Sequence, residues 1–288
     1  MSAAGDLNND GIDDFVIGAP GETSYTGTTY IVFGSATGLG AVDGSGRTVL
    51  NVSTLTSSQG FKISGNSAQE FLGYSVSSAG DVNGDGIADI IIGAQGTTVG
   101  SNAMAGTAYV LFGTENGFGT DDGHGHMVLN LADITAERGF SVQVESTLQM
   151  VGQSVASAGD VNGDGIDDII VGSTRTVASG AMTGAAYVIF GSTNGFGADG
   201  SGHAVINIGD LNASTGFVIV GGAEDDQLGV SVSSAGDING DGYSDIIIGA
   251  SENDEAGSNA GQSYVIFGTI DGFGVNDGEG HMTIDVSL

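Results

Sequence analysis

The 288-residue chain has no cysteine, no tryptophan, a single proline and only four fixed positive charges: Arg47, Lys62, Arg138 and Arg175. Each shortage closes off a class of protein. Without Cys there is no disulfide framework and no zinc–thiolate centre. With 35 acidic residues the net charge is −31, which argues against nucleic acid or an anionic membrane as partner, because phosphate binding needs clustered Lys and Arg. Apolar runs stop at about six residues, far short of the roughly 20 that span a bilayer, so no direct membrane insertion is expected. No segment with a 3.6-residue period reaches helix length; only LNLADITAER (129–138) and its counterparts could hold one helical turn. Met1 has no basic region or apolar core behind it, and Ala4 runs straight into Gly5-Asp6. The chain therefore reads as an excerpt whose targeting signal lies elsewhere.

What is abundant is glycine, 54 residues, and acid. Hydrophobic content of 40% argues for a folded core despite the charge. The acids are not scattered. GDLNNDGIDDFVIGA (5–19), GDVNGDGIADIIIGA (80–94), GDVNGDGIDDIIVGS (159–173) and GDINGDGYSDIIIGA (236–250) are four copies of one segment, with first Asp at 6, 81, 160 and 237. Each full unit also carries a Gly-Phe stretch (GFKISG, GFSVQV, GFVIVG), a Ser/Val alternation (GYSVSSAG, GQSVASAG, GVSVSSAG) and an aromatic stretch ending in Phe-Gly (YIVFG, YVLFG, YVIFG twice). Segments of four to seven residues, rich in Val, Ile, Tyr and Phe and bounded by Gly, Asn and Asp, are short strands. Four strands per repeat at regular spacing predict an all-β radial array, a β-propeller of about four four-stranded blades. The repeat units run over approximately 1–65, 66–144, 145–221 and 222–288 of a single region. A spacing near 77 residues exceeds the roughly 20–45 of common solenoids. The apolar runs such as IIIGA lack alternation, as expected of strands covered on both faces.

The acidic segment has metal-ligand spacing. Oxygen-bearing side chains stand at position 1 (Asp6, Asp81, Asp160, Asp237), position 3 (Asn8, Asn83, Asn162, Asn239), position 5 (Asp10, Asp85, Asp164, Asp241) and position 9 (Asp14, Asp89, Asp168, Asp245), with Gly always at 6. Position 7 varies (Ile12, Ile87, Ile166, Tyr243), as suits a ligand that offers only its backbone carbonyl. Calcium takes six to eight oxygens, and such a loop can wrap it. About four Ca2+ are expected. Position 8 is Asp13, Ala88, Asp167 or Ser244, so Asp13 and Asp167 are not expected to be ligands. Position 12 is Ile or Val inside a strand, which excludes an EF-hand with its Glu at 12. Carboxylates crowded into nine residues repel one another unless a dication sits among them, and metal binding would then become folding free energy.

These residues resemble the FG-GAP repeat, the unit of the integrin α-subunit β-propeller and of many bacterial surface proteins. Gly-Asp-x-Asn-x-Asp-Gly-x-x-Asp is followed by a strand and Gly-Ala, GAP itself stands at Gly18-Ala19-Pro20, and the FG element is Leu72-Gly73, Val151-Gly152 and Leu228-Gly229. The resemblance implies a propeller, calcium in the loops, and an extracellular or cell-surface adhesion setting. The family's usual ring has seven blades, whereas four loops occur here. Two arrangements are open: an arc of a larger ring, or a four-bladed closure in which the tail GHMTIDVSL (280–288), a match to GHMVLNLAD (125–133), pairs near the first blade. Open blade edges would favour association.

In an antiparallel meander the calcium hairpins and the long connectors (34–60, 113–139, 191–216) share one end. The loops 65–72, 144–151 and 221–228 share the other end with 94–107, 173–185 and 250–262. This second set differs most between copies, so a protein or glycan ligand is expected there. The recurring His126, His203 and His281, aligned with Arg47, read as connector structure. Asn51-Val52-Ser53 and Asn212-Ala213-Ser214 are sequons. No Gly-x-Ser-x-Gly elbow or HExxH occurs, and no RGD. The chain is not expected to be an enzyme; a glycosidase-like hydrolase would need two free carboxylates such as Glu224 and Glu252 facing each other. A structural spacer in a large surface protein is the remaining alternative.

Overall fold

A computed structural model describes residues 1–178, 181–197, 202–278 and 280–287. Its sheets follow the repeats. Within each blade the strands are called A to D outward from the centre. Strand A is Ser2–Gly5, Ser75–Gly80, Ser154–Gly159 or Leu228–Gly236. Strand B is Asp14–Ala19, Asp89–Ala94, Asp168–Ser173 or Asp245–Ala250. Strand C is Thr28–Val32, Thr107–Leu111, Ala185–Ile189 or Gln262–Ile266. Strand D is Gly60–Ser64, Gly139–Gln143 or Gly216–Val220. Neighbours A–B, B–C and C–D pair antiparallel.

Two details differ from the expectation of four equal blades. Blade 4 is a three-stranded sheet, ending at strand C. Blades 1 to 3 instead gain a fifth strand, parallel to D, from the connector of the following repeat: Met127–Asn130 on blade 1, Ala204–Asn207 on blade 2 and Met282–Asp285 on blade 3. The tail thus does to blade 3 what GHMVLNLAD does to blade 1, and among the described residues it makes no pairing with blade 1. The A strands pack side by side in chain order, and among the described residues no substantial strand contact joins blades 1 and 4. The blades form an arc. Each connector also carries the single tight turn anticipated, as a 3-10 helix at Val52–Thr54, Leu131–Asp133 and Ile208–Asp210.

The core lies between blades. Ile90 and Ile92 join Val16, Ile31 and Phe61 of blade 1, whereas Ile91 joins Ile169 and Val171 of blade 3. Strand B therefore needs apolar side chains on both faces, which is why it shows no alternation. Among the described residues blade 4 has a neighbour on one side only, and Ile247 and Val265 stand in solvent on the other.

The blades meet at glycine. A Cβ built on Gly93 would lie 1.9 Å from the carbonyl oxygen of Gly152; Gly18 meets Gly73 and Gly172 meets Gly229 in the same way. The Gly of each Gly-Ala-type turn and the Gly of the next Leu/Val-Gly pair are thus two halves of one backbone contact. Ser75 and Ser154 hydroxyls donate to the Gly152 and Gly229 carbonyls at 2.8 and 2.7 Å and lock the junction.

Candidate metal centre

Each acidic segment is the hairpin between strands A and B. A β-bulge at Gly5, Gly80, Gly159 or Gly236, where register shifts, ends strand A and turns the chain into the loop. Gly at position 6 has φ of +86° to +95° in the four copies, a conformation that L side chains resist.

The carboxylates organise the turn from within. Asp6 accepts the Asp10 and Gly11 N–H groups at 2.9 and 2.7 Å, and Asp10 accepts that of Ile12 at 2.9 Å. Asn8 accepts the Asp10 N–H through Oδ1 and donates to Asp10 Oδ2 through Nδ2. The same contacts recur around Asp81, Asn83 and Asp85, around Asp160, Asn162 and Asp164, and around Asp237, Asn239 and Asp241. Positions 1, 3 and 5 of all four loops are therefore brought together in one repeated arrangement.

Position 9 is different. Asp14, Asp89, Asp168 and Asp245 are buried at the start of strand B. Asp89 accepts the Val82 N–H at one oxygen and the Gly113 N–H at the other, both at 2.9 Å. Asp14 holds Leu7 and Gly34, Asp168 holds Val161 and Gly191, and Asp245 holds Ile238 and Gly268. One carboxylate thus ties the loop to the end of strand C, a role that spacing alone did not reveal. Burial pushes Asp14 up to about 6 and Asp89 and Asp168 up to about 7. The two amide bonds oppose that rise, and the loop's own aspartates at positions 1 and 5 add to it.

Position 7 also does more than offer a carbonyl. Ile12, Ile87 and Ile166 place a side-chain methyl over Gly34, Gly113 and Gly191 at the end of strand C, and Tyr243 places its Cβ over Gly268. The signal was present in the sequence: three of the four are Ile. Position 8 bridges blades, as Asp167 accepts the Asp81 N–H at 2.9 Å.

Among the described residues no three Asp, Glu or His side chains meet at metal-holding spacing. The donor set itself is all oxygen, which suits a hard cation. An ionised carboxylate has about four acceptor sites, so the amide contacts leave capacity on each aspartate. A buried acid raised by two like charges in its own turn is also what a dication would relieve. The residues present fit calcium on these grounds.

The remaining candidates resolve as connector structure. His281 Nδ1 lies 2.7 Å from Asp277, where Arg47 similarly grips Asp43 at 2.8 Å; His203 Nδ1 lies 2.8 Å from the Ile134 carbonyl. Asn51 and Asn212, the sequon asparagines, accept the N–H and hydroxyl of Ser53 and Ser214 in local turns. Glu252 accepts from Gln227 at 2.7 Å, while Glu224 is exposed, and no pairing of the two is seen. At the opposite end, buried Glu70 accepts the Asn66 and Ser67 N–H groups and the Tyr109 hydroxyl, and Asp226 accepts from Ala223 and Asn253. A cleft of about 570 Å3 opens there beside 97–102, walled by Thr107, Tyr109, Gln143 and Glu145.

The FG-GAP repeat model matches residues 2–32, 72–111, 151–189 and 228–266, together about half of the chain. The chain belongs to the FG-GAP repeat family. Each match runs from strand A to strand C of one blade. Among curated relatives, Integrin alpha-5 of Xenopus laevis is 29% identical over 86% of this chain and 19% of its own length. Integrin alpha pat-2 of Caenorhabditis elegans is 30% identical over 70% of the chain and 14% of its own. Phosphatidylinositol-glycan-specific phospholipase D of Bos taurus is 29% identical over 62% of the chain and 19% of its own. The chain spans about a fifth or less of the length of these relatives. No described helix is long and apolar enough to cross a membrane.

Proposed function

We propose that this FG-GAP region is a calcium-stabilised adhesion or recognition module that works outside the cell or at its surface. About four Ca2+ would occupy the A–B hairpins. Asp, Asn and Asp at positions 1, 3 and 5, the carbonyl at 7 and Asp at 9 would supply the oxygens. The single observation that carries this reading is the fourfold recurrence of one loop geometry around a buried, charge-crowded aspartate. The ion's role is structural: it would neutralise the turn and fix the register of strands A and B.

A protein or glycan ligand would contact the opposite end. Its support is the variation of those loops between copies and the polar cleft beside Tyr109. The integrin relatives favour adhesion over catalysis. The phospholipase relatives share only a minor part of their length with this chain, and no catalytic constellation accompanies it among the described residues, so no enzymatic role is proposed.

The test is calorimetric titration of calcium into EGTA-stripped protein, with thermal melts before and after. About four sites and a rise in Tm of many degrees are expected. No binding at millimolar calcium would reduce the loops to self-braced turns and remove the reading's physical basis.

A further inference from the structure

The acidic hairpins are joined to one another across the blades, and the joints are unequal. One contact is common to all three junctions. The position-2 carbonyl of a loop accepts the N–H of the residue after Phe-Gly in the next blade: Leu7 from Thr114, Val82 from Ser192 and Val161 from Thr269, at 2.8–2.9 Å. Position 8 of the next loop then differs. Ala88 brings its methyl against Gly5, and among the described residues it makes no hydrogen bond to Asp6. Ser244 donates its N–H to the Asp160 carbonyl at 2.9 Å. Asp167 grips Asp81 twice: its N–H donates to the Asp81 carbonyl at 3.3 Å, and its Oδ2 accepts the Asp81 N–H at 2.9 Å.

Asp81 holds position 1 in the acidic loop of blade 2, or loop 2. Its carboxylate accepts the Asp85 and Gly86 N–H groups at 3.0 and 2.8 Å, so the turn is organised from this residue. Its backbone N–H and carbonyl, in contrast, are both held from blade 3. The holder is itself fixed. Residue 167 stands between Ile166, packed on Gly191, and Asp168, which is buried and accepts the Val161 and Gly191 N–H groups at 2.9 Å each. A Cβ on Gly80 would lie 2.2 Å from Asp167 Oδ2, so the carboxylate is seated on the bulge that opens loop 2. An acid in that seat is not demanded by its own loop, since Ala88 and Ser244 stand at the same position. It also brings one more negative charge toward a turn that already carries Asp81 and Asp85.

We propose that Asp167 is a positioning residue for the cation site of the neighbouring loop, and that through it the sites of blades 2 and 3 are coupled. The inference rests on the calcium reading of these loops. Asp167 fixes both backbone groups of Asp81, so the position-1 carboxylate is presented to loop 2 already in place, and less order has to be gained on binding. Ile166 and Asp168, on either side, are the proposed position-7 and position-9 oxygen donors of loop 3. Engaging them stiffens the segment that holds Asp81, so occupancy of loop 3 favours loop 2. Linkage makes the effect reciprocal. The single Ser244 contact makes the coupling between loops 3 and 4 weaker, and position 8 gives loops 1 and 2 no hydrogen-bonded link among the described residues.

The test follows each loop separately in the whole chain, by hydrogen exchange and mass spectrometry at increasing free calcium. In the unsubstituted chain the amides of 82–87 and 161–166 should gain protection over the same calcium range. Asp167→Ala should raise the calcium midpoint at 82–87 at least about fivefold and leave that at 7–12 within about twofold. Asp167→Asn keeps an oxygen acceptor on the same stem and should restore the midpoint. Disabling loop 2 with Asp85→Ala should raise the midpoint at 161–166, and should no longer do so in the Asp167→Ala background. If no loop gains protection at millimolar calcium, the calcium reading fails and this inference with it. Calcium-dependent protection with an unmoved midpoint at 82–87 in Asp167→Ala would overturn the inference alone. So would an equal shift in all four loops, or a failure of Asp167→Asn to restore the midpoint.

Discussion

Blades 2 and 4 carry almost the same sequence and sit in different surroundings. Strand B reads DIIIGA in both. In blade 2 every residue of it is buried; in blade 4 Ile247 is 37% exposed and Gly249 is only half-buried. Gly93 is pressed against the Gly152 backbone, whereas a Cβ on Gly249 would meet only the Ser231 hydroxyl and more distant side-chain carbons. Yet the position-9 anchor is the same in both: Asp89 and Asp245 are equally buried and hold corresponding amides. The position-9 anchor is a property of one repeat. The glycine contact is a property of two.

Paired substitutions would separate the two most sharply at the glycines. Gly93→Ala drives a methyl into a carbonyl of the next blade, and neither backbone can retreat without opening the junction. A loss of roughly 3 kcal/mol or more is expected in denaturant melts. Gly249→Ala meets a hydroxyl that can rotate, and should cost less than about 1 kcal/mol. Equal losses would show that the local strand, rather than the junction, demands Gly.

A second pair should behave in the opposite way. Asp89→Ala and Asp245→Ala each leave two backbone amides without their acceptor, at a cost of about 1–3 kcal/mol. Since both sites are built within one blade, the two losses measured in EGTA should agree within about 0.5 kcal/mol. A much smaller loss at Asp245 would mean that the anchor depends on a neighbour after all.

The contrast also marks what the sequence made legible. The strands, the connector turns, the two loop ends and the arc-or-ring question were readable because repetition displays the same physical demand four times. What was not readable is pairing across repeats. Nothing local in GHMVLNL states that it adds a parallel strand to the preceding blade. Nor does a Gly pattern say which two glycines touch. At the candidate centre, spacing singled out positions 1, 3, 5 and 9 but did not announce the second task of position 9, since the amides of Val82 and Gly113 that Asp89 binds are 7 and 24 residues away. The Ile at position 7 was read as indifferent because its carbonyl sufficed for the metal argument, while its methyl packs on a Gly from another strand.

A pH slope is also expected, and its sign is informative. In metal-free protein Asp14, Asp89 and Asp168 hold their protons to about 6, 7 and 7, against about 3.9 in an unfolded chain. Between those limits the folded state binds more protons than the unfolded one, so stability falls as pH rises from about 4 to 7 and levels off above. In EGTA, Tm should therefore decline from pH 5 to pH 7.5. Surface repulsion at a net charge of −31 acts in the same direction, but 0.5 M NaCl screens exposed charges far more than buried ones, so the part of the slope that survives salt belongs to the buried aspartates. Calcium favours their ionised form and should flatten or reverse that part. A Tm that rises over this interval in EGTA and high salt would show that the position-9 carboxylates are already comfortable as anions, and the loops would then have no need of a cation to complete them.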